Sequence, residues 1–133
     1  MKDLINIIEK LKINSKTKVH NTNPKDWTIE NAEDGDFVAC LKDIVFIYNG
    51  LNKDIKKYPQ FDGDTIIYHA CYYGGDKNDP NNEIHIGPTC GVGNIHNTYN
   101  FRLATDEQKQ EFIDALKSKG YKWDDTKLEL EKL

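Results

Sequence analysis

His69 and Cys71 stand two residues apart in the apolar run 65–73, whose alternation is that of a strand, so both side chains leave one face of it. His85, Cys90 and His96 follow within a short stretch. Nitrogen and sulfur donors of this kind bind zinc, and a thiol beside an imidazole can act as a nucleophile with its base. Both readings stay open as alternatives, a metal set of His69, Cys71, His85, Cys90 and His96 or a Cys–His hydrolase. The spacing fits no standard zinc motif, and free cysteine is among the residues most often packed in a core. Ordinary packing is therefore the preferred reading, with no catalytic residue, metal or cofactor assigned.

A second group is suited to binding. Gly87, Gly91 and Gly93 are followed by neither Gly-Lys-Ser/Thr nor a helix start, so they form neither a phosphate loop nor a dinucleotide fingerprint. Glycine backbone near His96 and Arg102 can still cradle an anion. Arg102 is the sole arginine among 18 basic residues, and its planar fork suits phosphate or carboxylate. A surface pairing with Asp106 or Glu107 is the rival account of it. Strict alternation puts Tyr68 and Tyr72 on one face of the long strand, and Tyr73 with His69 and Cys71 on the other. A ligand site is accordingly expected at His69, Tyr73, Gly91, Gly93, His96 and Arg102.

Two acidic features read as turns. The stretch 76–83 is rich in oxygen ligands but lacks the acid spacing and central glycine of a calcium loop. The Asp-Gly-Asp triplets at 34–36 and 62–64 each precede a strand, where turn chemistry accounts for them better than an acidic catalytic pair.

The chain that must position these groups has 133 residues, a net charge of −4 and three cysteines. That length suits one domain, 1–133, able to fold without metal or disulfide. The acidic balance disfavours duplex nucleic acid. Lys10, Lys12, Lys16 and Lys18, and then Lys53, Lys56 and Lys57, are interspersed with or flanked by acids and read as solvated faces. No apolar run approaches a membrane span, and the odd cysteines form no disulfide framework, so a soluble cytoplasmic protein is expected.

Residues 1–16 read as an amphipathic helix with Leu4, Ile7, Ile8 and Leu11 on one face. Residues 35–103 read as a β-rich core with strands near 37–41, 44–48, 65–73, 84–86 and 99–103. The turn dipeptide Asn49-Gly50 ends the second strand, and 74–82 and 87–97 form turns. Residues 104–133 read as a helix and hairpin. Thr105 and Gln108 form a capping box, and Gly120 falls at the C-cap. The fold class is α+β, a mainly antiparallel sheet or small open barrel flanked by an N-terminal helix and a C-terminal helix plus hairpin.

The tail carries a resemblance. Arg102-Leu103-Ala104-Thr105-Asp106-Glu107-Gln108-Lys109, the helix face, and then Gly120-Tyr121-Lys122-Trp123-Asp124 and Leu128 resemble a C-terminal module of small accessory proteins of phages and prophages of gut bacteria. The likeness covers about a quarter of the chain, and in that family the module is structural. It implies a mobile-element setting in a bacterial cytoplasm. It also implies action by binding, as an inhibitor of a host or defence protein or as a sequestering protein for a small, anionic, nucleotide-like ligand. A virion or self-assembling structural protein, and hence a homo-oligomer, is the alternative.

Overall fold

Phe37–Cys40 (β1) and Ile44–Leu51 (β2) carry large apolar side chains at successive positions rather than alternate ones, which demands cover on both faces. The computed structural model, which describes residues 26–73 and 83–133, supplies that cover. Thr65–Tyr73 (β3), Glu83–Asn94 (β4) and Arg102–Leu103 (β5) complete a five-stranded antiparallel sheet in the order β4-β3-β2-β1-β5. A single turn of helix, Asn52–Ile55 (α1), follows β2, and a longer helix, Asp106–Ser118 (α2), follows β5. The chain closes in the hairpin Tyr121–Asp124 (β6) and Glu129–Lys132 (β7).

The first face of the sheet buries Val38, Phe46, Ile66, Tyr68 and Cys71 with Ile29, while Trp27, Tyr99 and Phe101 pack around them. On the second face Phe37, Val45, Ile47 and Tyr72 meet Phe112 and Leu116 of α2, with Trp123 and Leu130 of the hairpin beside them. Phe112 stacks on Tyr72 and stands edge-on to Phe37, each at 5.7 Å between centroids. Burying such a ring contributes about 1.5–3 kcal/mol, so these few contacts hold the tail to the sheet.

The helix itself is built from local signals. Gln108 N–H donates to Thr105 Oγ1 at 3.1 Å, and Thr105 N–H donates back to Gln108 Oε1 at 2.9 Å. Asp106 and Glu107 lie at the positive end of α2 and Lys117 at the negative end. Gly120 ends the helix with a φ of +89°.

Three expectations are corrected. Asn49-Gly50 does not end β2, which continues to Leu51, and the glycines 87–93 lie inside β4 rather than in a turn. In both places the extra backbone is absorbed by shifts of register against β3. A Cβ on Gly87 would collide with the carbonyl of Tyr68, so close strand approach explains that residue. The third correction concerns β3. Between the pairs Phe46↔Cys71 and Tyr48↔Tyr68, β2 advances two residues while β3 advances three. That bulge inverts the alternation, so Tyr68, Cys71 and Tyr73 share the first face, with Tyr72 on the second. The N-terminal helix (1–16) and most of the acidic stretch 76–83 lie outside the described residues.

The Asp34-Gly35-Asp36 turn docks the hairpin. Gly35 N–H donates to Tyr48 O at 2.8 Å, Gly35 has a φ of +96°, and a Cβ there would lie 2.6 Å from Leu128 Cδ2. Gly35→Ala is therefore expected to lower unfolding free energy by about 1–2 kcal/mol, the cost of a left-handed L-residue, measured by urea denaturation.

Candidate functional site

Of the residues expected to form one site, Tyr73 and Gly91 come together, while His69, His96 and Arg102 each have other partners. The β3 bulge turns His69 to the α2 side, where Nε2 lies 2.7 Å from Asp34 Oδ1 and the ring is 4.9 Å from that of Trp123. Tyr73 lies on the other face, its ring 5.0 Å from the exposed His85, which pairs with Glu83 at 3.3 Å. Gly91 adjoins the hydroxyls of Tyr68 and Tyr73, whereas Gly93 adjoins Asn97 and Tyr99. Arg102 donates from its two terminal nitrogens to the carbonyls of Asn100 (2.8 Å) and Leu41 (3.1 Å). Its planar fork clamps two turns, and neither Asp106 nor Glu107 is needed to explain it.

The sulfur chemistry is equally divided. Cys71 is fully buried, and desolvation pushes its thiol up to about 12, against a smaller lowering by hydrogen bonding with Tyr73. Burial likewise lifts the Cys40 thiol to about 11. Neither thiol ionises at neutral pH, and the thiolate is the nucleophile and metal ligand. Among the described residues, no group of three or more His, Cys, Asp or Glu side chains comes together to hold a metal ion.

A different place gathers exposed chemistry, the loop from α1 to β3. Its organiser is Asn52, a buried polar residue. The Asn52 side-chain amide donates to Tyr58 O at 2.6 Å, with a longer contact to Phe61 O at 3.4 Å, and its oxygen accepts from Tyr58 N–H at 2.9 Å. Lys53 N–H closes the base of the loop on Gly63 O at 2.7 Å. The Tyr58 hydroxyl donates to the carbonyl of Pro88, tying the loop to β4. So held, the loop presents Phe61, half exposed, edge-on to Tyr58 at 6.4 Å, together with the partly exposed Ile55.

Polar groups flank the base of this loop. Asp64 pairs with His96 at 2.8 Å and with Lys53 at 3.3 Å. Hydrogen bonds from His96 first, and then Lys53, hold its carboxyl below the usual aspartate range. Sequence reasoning set the Lys53–Lys57 stretch aside as a solvated face and read 62–64 as a turn. The overlooked signal was an asparagine directly after a strand, followed by Tyr-Pro-Gln-Phe, an apolar pair placed where a loop would ordinarily be polar.

Comparison of the chain with protein-family models, with curated proteins and with solved structures finds no match. No helix among the described residues is long and apolar enough to cross a membrane.

Two outcomes test this construction. Asn52→Ala strands the Tyr58 and Phe61 carbonyls and is expected to cost about 2 kcal/mol in urea denaturation, with hydrogen exchange rising across 53–63. For Asp64 the folded pKa is depressed, so its contribution is present above the unfolded aspartate value near 4 and is lost as pH falls through the folded value. Asp64→Asn should lower Tm at pH 7, and melts taken at successively lower pH should show the gap to the parent chain closing.

Proposed function

We propose that this chain is a small accessory protein of phage type that acts by binding another protein, with the 52–64 loop as its principal contact. The observation that carries this reading is a half-exposed Phe61 on a loop whose backbone is already fixed by the buried Asn52 amide. Aromatic anchors on pre-ordered backbone are what protein interfaces use for most of their affinity, because little conformational entropy is lost on association.

The surroundings favour a protein over a nucleic acid. Lys53, Lys56 and Lys57 are matched within the same loop by Asp54, Asp62 and Asp64, so the loop offers no net field to a phosphate backbone. A balanced rim around an apolar centre is the composition of a protein interface. The resemblance of the tail to the phage accessory module supports the setting, a bacterial host cell with a host or defence protein as target. The Cys–His nucleophile is disfavoured because burial keeps the Cys40 and Cys71 thiols un-ionised.

The test is a photo-crosslinker placed at position 61 in the producing bacterium, combined with Phe61→Ala. A discrete crosslinked protein is expected, and binding to it should fall by about tenfold or more, 1.4 kcal/mol, in Phe61→Ala with Tm unchanged. A partner that crosslinks elsewhere and binds Phe61→Ala within about threefold of the parent, under ~0.7 kcal/mol, overturns the placement.

A further inference from the structure

Strand β4 is an edge of the sheet, and among the described residues no strand pairs with its outer side. Its first part is regular. The pairs Tyr73↔Glu83, Tyr72↔Ile84, Cys71↔His85 and Ala70↔Ile86 run without a break before the irregularity at Gly87 and Pro88. Beyond that point Pro88 lacks an N–H, and its carbonyl already accepts the Tyr58 hydroxyl. The usable edge is thus Glu83 to Gly87, a short row of backbone donors and acceptors bounded on one side by the candidate loop.

The side chains on this row are self-complementary. Ile84 packs toward the α2 side of the sheet, and Ile86, two residues on, shares that side while remaining 38% exposed. His85 and Glu83 lie on the opposite side with Tyr73. An antiparallel pairing with two-fold symmetry about His85 sets Ile84 opposite Ile86 of a second copy, and Ile86 opposite its Ile84. Four isoleucines then form one apolar strip. Glu83 falls opposite Gly87, where no side chain opposes it, and diagonally across from His85 of the second copy, whose ring N–H its carboxylate can accept. The Ile-His-Ile run reads the same in both directions, so like meets like without a clash, as an isologous interface requires.

We propose that the Glu83–Gly87 edge is a self-association seam, through which two copies of this chain join their five-stranded sheets into one continuous sheet. About four to six backbone hydrogen bonds close such a seam. Its area falls below that of a standard stable interface, so the dimer is a weak, concentration-dependent one. The seam is separate from Phe61, and neither proposal depends on the other.

Sedimentation velocity on the full chain from low micromolar to near-millimolar concentration tests it. The expected result is a gradual rise toward twice the monomer mass, with hydrogen exchange at 83–87 slowing as concentration rises. Ile86→Lys, at a position 38% exposed, sets two lysines into the apolar strip and should weaken the dimer by about tenfold or more, with the monomer's Tm measured alongside. Phe61→Ala should leave it unchanged. Monomer mass at every concentration overturns the proposal, as does a dimer that Ile86→Lys leaves intact or one without added protection at 83–87.

Discussion

One inserted residue in β3 governs how the rest of the molecule is arranged. A strand without it would carry a single alternation from Thr65 to Tyr73 and commit its tyrosines to faces by simple parity. With the extra residue between Tyr68 and Cys71, the strand keeps Tyr68, Cys71 and Tyr73 on the first face and gives Tyr72 to Phe112 on the second. The same insertion brings the His69 ring against Trp123 and within reach of Asp34. Sheet, acidic turn and C-terminal hairpin therefore meet at one imidazole. The bulge is a joint between layers as well as a local irregularity.

Much of the fold is legible in the sequence. The capping box at Thr105 and Gln108, the glycine at 120 and the alternation around Asp124-Asp125 gave the tail its helix and hairpin, because each is a short-range signal with its own physical cause. The strands β1, β2 and β3 were legible from their apolar content. What misled was glycine. Asn49-Gly50 and the 87–93 glycines carry the marks of turns, yet here they lie in strands whose registers slip past one another. Register is set by partners distant in sequence, so no local pattern reveals it.

The candidate site was less legible for the same reason. Grouping His69, Tyr73, Gly91, Gly93, His96 and Arg102 assumed an unbroken alternation and a glycine turn, and neither holds. Arg102 illustrates the difference between type and use. The planar fork that suggested an anion instead bridges two carbonyls whose residues, Leu41 and Asn100, both have a φ of +53°. Asn52 lay in plain view as a loop residue. Its burial, and the exposure of Phe61 that follows, are properties of the folded chain alone.

The Arg102 clamp also bears on how the molecule carries load. At its start the tail joins the sheet through a strand only two residues long, supported by the Ala104 N–H to Phe37 carbonyl bond at 2.9 Å and by the Arg102 guanidinium bond to the Leu41 carbonyl. A pull on the C-terminus, such as a tethered partner or an unfoldase applies, loads first the packing of Leu130, Trp123, Leu116 and Phe112 on the second face and then that narrow neck. Hydrogen bonds so few in number break nearly together, whereas the long ladders between β2, β3 and β4 share tension over many residues. Seen as a mechanical assembly, the protein has a laddered plate and a tail laid flat against it by buried rings, with one arm of its single arginine pinning the joint where the two meet.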